Sequence, residues 1–133
     1  MKILLDTHVL LWAFCREPML TGKAVAYIED EDNEIYYSTV SLWEIAIKHA
    51  QRPDEILVTP AQFRQYCLVS GYLPLPVRDE HVLALDTLNR PDDLKHNDPF
   101  DRMLLAQAKS EGMLLMTHDR LITQYREDFI VAI

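Results

Sequence analysis

Cysteine is scarce in this chain, basic residues are outnumbered, and no apolar run is long. Each shortage closes off a class of function. The two cysteines, Cys15 and Cys67, stand in neither a CxxC nor a CxxH spacing, so neither a zinc knuckle nor a paired redox site is suggested. Lone thiols of this kind are expected to be buried and reduced, in a cytoplasmic protein. The apolar stretches fall far short of the ~20 residues that cross a membrane. "MKILLD" meets an acid at its sixth residue, too early for the apolar stretch of a secretory signal. Lysine and arginine number 13 against 21 aspartates and glutamates, a formal net charge of -8. That balance speaks against phosphate binding by a basic surface. It fits a solvated acidic exterior, a gain in solubility, or a cluster of acids neutralised when cations bind.

What is present points to one ordinary globule. A chain of 133 residues, 49% hydrophobic and 26% charged, predicts a single domain over residues 1–133 that buries roughly two thirds of its unfolded surface. "KILL", Lys2 to Leu5, reads as a buried strand followed by the helix "THVLLWAF", which must end before Pro18. Thr21 is placed to cap a second helix, "GKAVAYIED", and the acidic run Glu29 to Glu34 reads as a solvated loop. "IYYS" predicts a second strand and "SLWEIAIKHA" a helix after it. Pro60 opens and Gly71 closes the next helix, and "YLPLPV" predicts an edge strand because of its prolines. "DEHVLALDTL" is expected to be helical and "NRPDDLKHN" a loop. "DPFDRMLLAQAKSEG" carries Pro99 at its first turn and Gly112 at its exit, a helix signature. "MLLMT", a short helix "HDRLITQYR" and a last strand "FIVAI" complete the order. Strands alternate with helices, without repeat or linker. That predicts a three-layer α/β/α fold on a mainly parallel sheet of about five strands.

In such a sheet, ligands bind beyond the carboxyl ends of the strands. Asp6 ends the first strand, and Asp119 lies two residues past "MLLMT". Glu44 is expected in the first turn of the helix that leaves the second strand. Asp98 and Asp101 open the helix that returns to the fourth strand, so its first turn belongs to the same rim. Each acid has a structural reading of its own: "SLWE" fits a capping box from Ser41 to Glu44, "DPFD" makes Asp98 an N-cap, and Asp119 is able to cap its helix. Capping accounts for each acid but not for their meeting, because crowded carboxylates repel unless a cation intervenes. An all-oxygen set favours magnesium or manganese. Ions on such a rim activate water and stabilise the leaving oxygen in phosphodiester hydrolysis.

The segments "LLDTHVLLW", "STVSLWEIAIK", "HNDPFDRMLLAQA" and "LLMTHD" resemble, in order and spacing, the PIN-domain ribonucleases, and above all the VapC-type toxins of bacterial toxin–antitoxin pairs. The resemblance covers essentially the whole chain. It implies a PIN-like fold and a Mg2+-dependent endoribonuclease, with Mn2+ as a substitute, leaving a 5′-phosphate and a 3′-hydroxyl. It maps the family's acids onto Asp6, Glu44, Asp101 and Asp119, with Asp6 and Asp101 as the direct ligands. Glu44 and Asp119 would act through water, and Asp98 matches the extra acid of the "DPFD" variant. The hydroxyls of Thr7, Ser41 and Thr117 would fix the acids from behind. The partners implied are an RNA substrate, a small antitoxin and a second copy of the chain in a homodimer. Where the family often carries a Gly-Lys-Leu turn after "WEIAIK", this chain reads "HAQRPDEI", so the loop on the substrate side departs from the pattern.

Other residues have ordinary roles. His8, His96 and His118 lie near the rim but in no zinc spacing, and His81 reads as a packing or surface residue. Arg102 is expected to pair with a neighbouring acid such as Asp98, or else to touch a phosphate. Lys48, four residues after Glu44, is expected to form a helix ion pair with it. Trp12 and Trp43 read as core or dimer surface in preference to base-stacking platforms. Two rival functions remain. A phosphatase with Asp6 as nucleophile wants a second Asp where His8 stands. A non-catalytic module would use the acids only as caps.

Overall fold

The computed structural model describes residues 1–15, 18 and 20–133. Five strands form one sheet in the order β3-β2-β1-β4-β5, every pairing parallel. They are β1 (Lys2–Leu5), β2 (Glu34–Ser38), β3 (Leu73–Leu75), β4 (Leu114–Thr117) and β5 (Ile130–Ala132). Parallel strands require crossovers, and six helices supply most of them: α1 (Thr7–Cys15), α2 (Gly22–Glu29), α3 (Thr39–Gln51), α4 (Pro60–Val69), α5 (Asp79–Ala84) and α6 (Pro99–Glu111). Among the described residues, no helix is long and apolar enough to cross a membrane.

Alternation along the strands builds the layers. Ile3 and Leu5 of β1, with Ile35 and Tyr37 of β2, join Val9, Ile45 and Phe63 in a core under α1 to α4. Leu4, one residue out of step, faces the other way with Leu115 and packs under Leu104, Leu105 and Ala108 of α6. The expected α/β/α sandwich is present, and the proline-bearing β3 is an edge strand as its composition predicts.

The helix ends follow local chemistry. The Thr21 hydroxyl accepts from the Ala24 amide at 3.3 Å to start α2. Thr59 and Gln62 exchange bonds in a full capping box ahead of Pro60. Gly71 and Gly112 take the positive φ angles of +80° and +66° that turn the chain after α4 and α6.

Three expectations need correction. Helix α3 starts at Thr39, not at Ser41, because Ser38 caps it by accepting from the Val40 amide at 3.0 Å. Ser41 is therefore not the N-cap, and Glu44 belongs to the second turn rather than the first. "HDRLITQYR" forms only a 3-10 turn, Ile122–Gln124. There Tyr125 is buried and the Arg126 amide is drawn away to the Asn89 carbonyl at 2.8 Å. Cys67 is buried as expected, but Cys15 is exposed, since it is the last residue of α1.

Candidate metal centre at the carboxyl rim

The strand order reverses between β1 and β4: the chain first winds outward through β2 and β3, then returns on the other side of β1. A crevice opens at such a switch point, beyond the carboxyl ends of the two strands. Asp6 and Asp119 leave β1 and β4 there. The Asp6 carboxylate caps α1, with Oδ1 accepting from the Val9 amide at 2.9 Å. Its Oδ2 accepts the Thr117 hydroxyl, and that hydroxyl accepts in turn from the Asp119 amide at 3.0 Å. One threonine thus locks the ends of two strands to each other through the acid between them.

Asp6 is almost fully buried. Burial drives its pKa above the usual carboxylate range, and the Asp119 charge adds to that. The bonds from Thr117 and Val9 and the nearby His8 oppose it. Asp101 is raised further, to about 6. Burial is the largest cause, His96 counters it by a hydrogen bond, and the charges of Asp98 and Asp119 push it up again. Asp6, Asp101 and Asp119 therefore share one electrostatic neighbourhood, with Asp119 common to both pairs. Asp98 stands at the margin: its Oδ1 accepts from the Asp101 amide at 3.0 Å, the N-cap that the sequence predicts for α6. Asp119 likewise caps its turn, accepting from the Leu121 and Ile122 amides at 2.7 and 3.1 Å.

Glu44, in the second turn of α3, is 3% exposed. Its Oε2 lies 2.5 Å from the Lys48 ammonium, the ion pair expected of that spacing. Its Oε1 is buried without any partner. A half-exposed ion pair contributes about 0–1 kcal/mol, while a buried oxygen left unpaired costs about 1–3 kcal/mol. The arrangement is a net cost to the fold.

The supporting residues divide. Thr117 holds Asp6 as expected, whereas Thr7 donates to Ser41 at 2.9 Å, so these two hydroxyls tie α1 to α3 instead of gripping an acid. Arg102 does not pair with Asp98: its side chain lies against the Tyr125 phenol, and its Nε is buried without a partner. His96 is the residue that sequence reasoning set aside too readily. It is buried, with Nε2 3.1 Å from Asp101 Oδ2 and Nδ1 2.8 Å from the Tyr125 hydroxyl. Gln107 was missed altogether. Buried on α6, it accepts from the Ser38 hydroxyl at 2.5 Å and donates to the Leu75 carbonyl at 3.4 Å, fastening α6 to the ends of β2 and β3. The divergent "HAQRPDEI" segment is pinned by His49, whose Nδ1 lies 2.6 Å from the Ile56 carbonyl.

The donor set suits a hard divalent cation. It is all carboxylate, two members are held above their usual pKa, and a third carries an orphaned oxygen. Among the described residues, no three His, Cys, Asp or Glu side chains come together in a group that could hold a metal ion. Each acid is held by its own protein partners.

A family model for the PIN domain matches residues 3–128. No curated protein matches the sequence. Among solved structures, the chain is similar to VapBC2 from Rickettsia felis bound to a DNA fragment from their promoter, with a TM-score of 0.71 at 13% identity. That match covers 99% of this chain and 98% of the other. It is also similar to VapBC-1 from nontypeable Haemophilus influenzae, with a TM-score of 0.63 at 16% identity, covering 93% and 91% of the two chains.

Proposed function

The chain belongs to the PIN-domain family, and from that premise we propose that it is a metal-dependent endoribonuclease, the toxin of a toxin–antitoxin pair. The observation that carries the reading is the switch point, where the Asp119 charge acts on both Asp6 and Asp101; Glu44 on α3 adds a buried oxygen without a partner. Mg2+, or Mn2+ in its place, would be held by Asp6 and Asp101 directly and by Glu44 and Asp119 through water, with Asp98 at the margin. The ion supplies a lowered pKa for the attacking water and charge stabilisation for the leaving oxygen.

The protein's own groups do the rest. Thr117 and His96 fix the orientation of Asp6 and Asp101, so neither acid must reorganise when substrate arrives. Arg102 would meet a phosphate oxygen through guanidinium atoms other than its buried Nε. Water attacks phosphorus, the bond from phosphorus to the 3′ oxygen breaks, and a proton passes to that oxygen. The products are a 5′-phosphate and a 3′-hydroxyl. The acidity of the chain then ceases to conflict with a polyanionic substrate, because the carboxylates bind cations and the cations bind phosphate. Two neighbours in fold that carry the name VapBC support a small antitoxin as partner. A homodimer of single-domain chains in the cytoplasm completes the proposal.

The test is cleavage of total RNA by antitoxin-free protein with magnesium, with manganese and with chelator, beside Asp6→Asn. Metal-dependent cleavage that the nearly isosteric mutant loses is the expected result. A folded protein that binds no metal and cuts nothing would be a binding module instead.

A further inference from the structure

Trp43 is 60% exposed, and every other aromatic side chain among the described residues is buried or half-buried. It immediately precedes Glu44 on α3. Its ring packs 5.1 Å from that of Phe100, edge to face at 76°, and Phe100 immediately precedes Asp101 on α6. Two helices thus each carry a candidate acid and, one residue earlier, a ring that meets the ring of the other. An indole left in water forfeits much of the burial energy that makes tryptophan useful in a core. This one has the Phe100 ring against it, and both rings directly precede candidate acids, Glu44 and Asp101.

We propose that the Trp43–Phe100 pair is a stacking platform for an unpaired RNA base next to the scissile phosphodiester. The proposal rests on the nuclease reading above and specifies its substrate as single-stranded or looped RNA. A chain of net charge -8 has few cations with which to track a phosphate backbone, and stacking needs none. Every base offers a π face, so the platform supplies affinity and position while leaving sequence choice to other contacts. A second copy of the chain is a poorer occupant. Stable interfaces bury about 800 Å² on each partner, far more than two rings provide. The broader exposed apolar surface lies elsewhere, at Leu57, Leu68 and Val69, beside a hollow of about 780 Å³.

The test uses protein carrying Asp6→Asn, to prevent cleavage, and Trp12→Phe, so that Trp43 is the one indole. A short oligouridylate should quench Trp43 emission; the same ribose-phosphate chain without bases should not, nor should oligouridylate paired with oligoadenylate. Trp43→Ala should weaken binding of the oligouridylate about tenfold or more, and Trp43→Tyr much less. Unchanged affinity in Trp43→Ala, emission indifferent to the single strand, or failure of the oligouridylate to bind would each overturn the platform. So would emission that shifts with protein concentration alone, which would put the ring between copies. Metal-dependent cleavage by the wild type beside any of these results would leave the nuclease reading standing. Quenching together with weaker binding of a labelled oligouridylate by Trp43→Ala, without cleavage by the wild type, would keep an RNA site and remove the nuclease.

Discussion

Helix α6 carries an acid against a buried histidine at each end, and the two ends behave oppositely. At its last residue, Glu111 meets His81 at 2.8 Å and Arg78 at 3.2 Å. The His81 hydrogen bond, with the charges of His81, Arg78 and Lys2, outweighs burial and holds Glu111 below the usual range. At the first turn, Asp101 meets His96 at 3.1 Å, yet burial and the neighbouring Asp98 and Asp119 push it up to about 6. The same pair of side chains settles an acid in one place and leaves it unsettled in the other. The difference is company: Arg78 and Lys2 bear on Glu111 beside its histidine, whereas two carboxylates, Asp98 and Asp119, bear on the more buried Asp101. A carboxylate kept uncomfortable by its own fold is one that a cation would relieve.

The sharpest way to break this contrast is to remove the charge at the rim. Asp101→Asn keeps the size of the side chain, and should lower metal-dependent cleavage by more than the roughly hundredfold that partners behind a ligand cost. Thermal melts in chelator should show it at least as stable as the wild type, since an unfavourable buried charge is gone. His96→Phe should cost about 10–100-fold in metal affinity or activity, read by titrating magnesium against cleavage rate. His81→Phe should leave cleavage intact and lower stability by about 1–3 kcal/mol, because the Arg78 amide that donates to Nδ1 at 3.0 Å loses its acceptor.

Proton linkage sharpens the comparison further. Asp101 holds its proton more tightly folded than unfolded, so in chelator its contribution to stability falls as pH rises from about 3.8 to about 6. Glu111 has the opposite sign: its contribution is present above about 4.5 and is lost as pH falls through the lower folded value. Asp101→Asn should therefore gain on the wild type as pH climbs to 6, and Glu111→Gln should flatten the acid limb of the stability curve. The smallest effect is expected from the second of these, since Glu111 is partly exposed to screening water.

Much of the fold was legible because its signals are local. The short apolar runs, Pro60, Pro99, Gly71 and Gly112 mark element ends through backbone chemistry that needs no tertiary partner. The meeting of Asp6, Asp101 and Asp119 was legible too, because alternating strands and helices leave their ends on one rim. Glu44 was misplaced by one turn: "IYYSTVS" gives no local sign of whether Ser38 or Ser41 starts the helix, and packing of the buried Val40 decides it. Gln107 was beyond sequence reading for another reason, since its partner Ser38 lies 69 residues away, and the same holds for the His96 contact with Tyr125, 29 residues away; no periodicity links positions so distant.

The bond from Thr117 to Asp6 spans 111 residues, and it has a meaning in time as well as in space. During synthesis β1 emerges first and finds β2 early, but its other edge waits for β4. Until nearly the whole chain has left the ribosome, Asp6 has neither Thr117 nor Asp119 beside it, and no crevice exists. On the proposed nuclease reading, a growing or truncated chain would lack the assembled rim of acids.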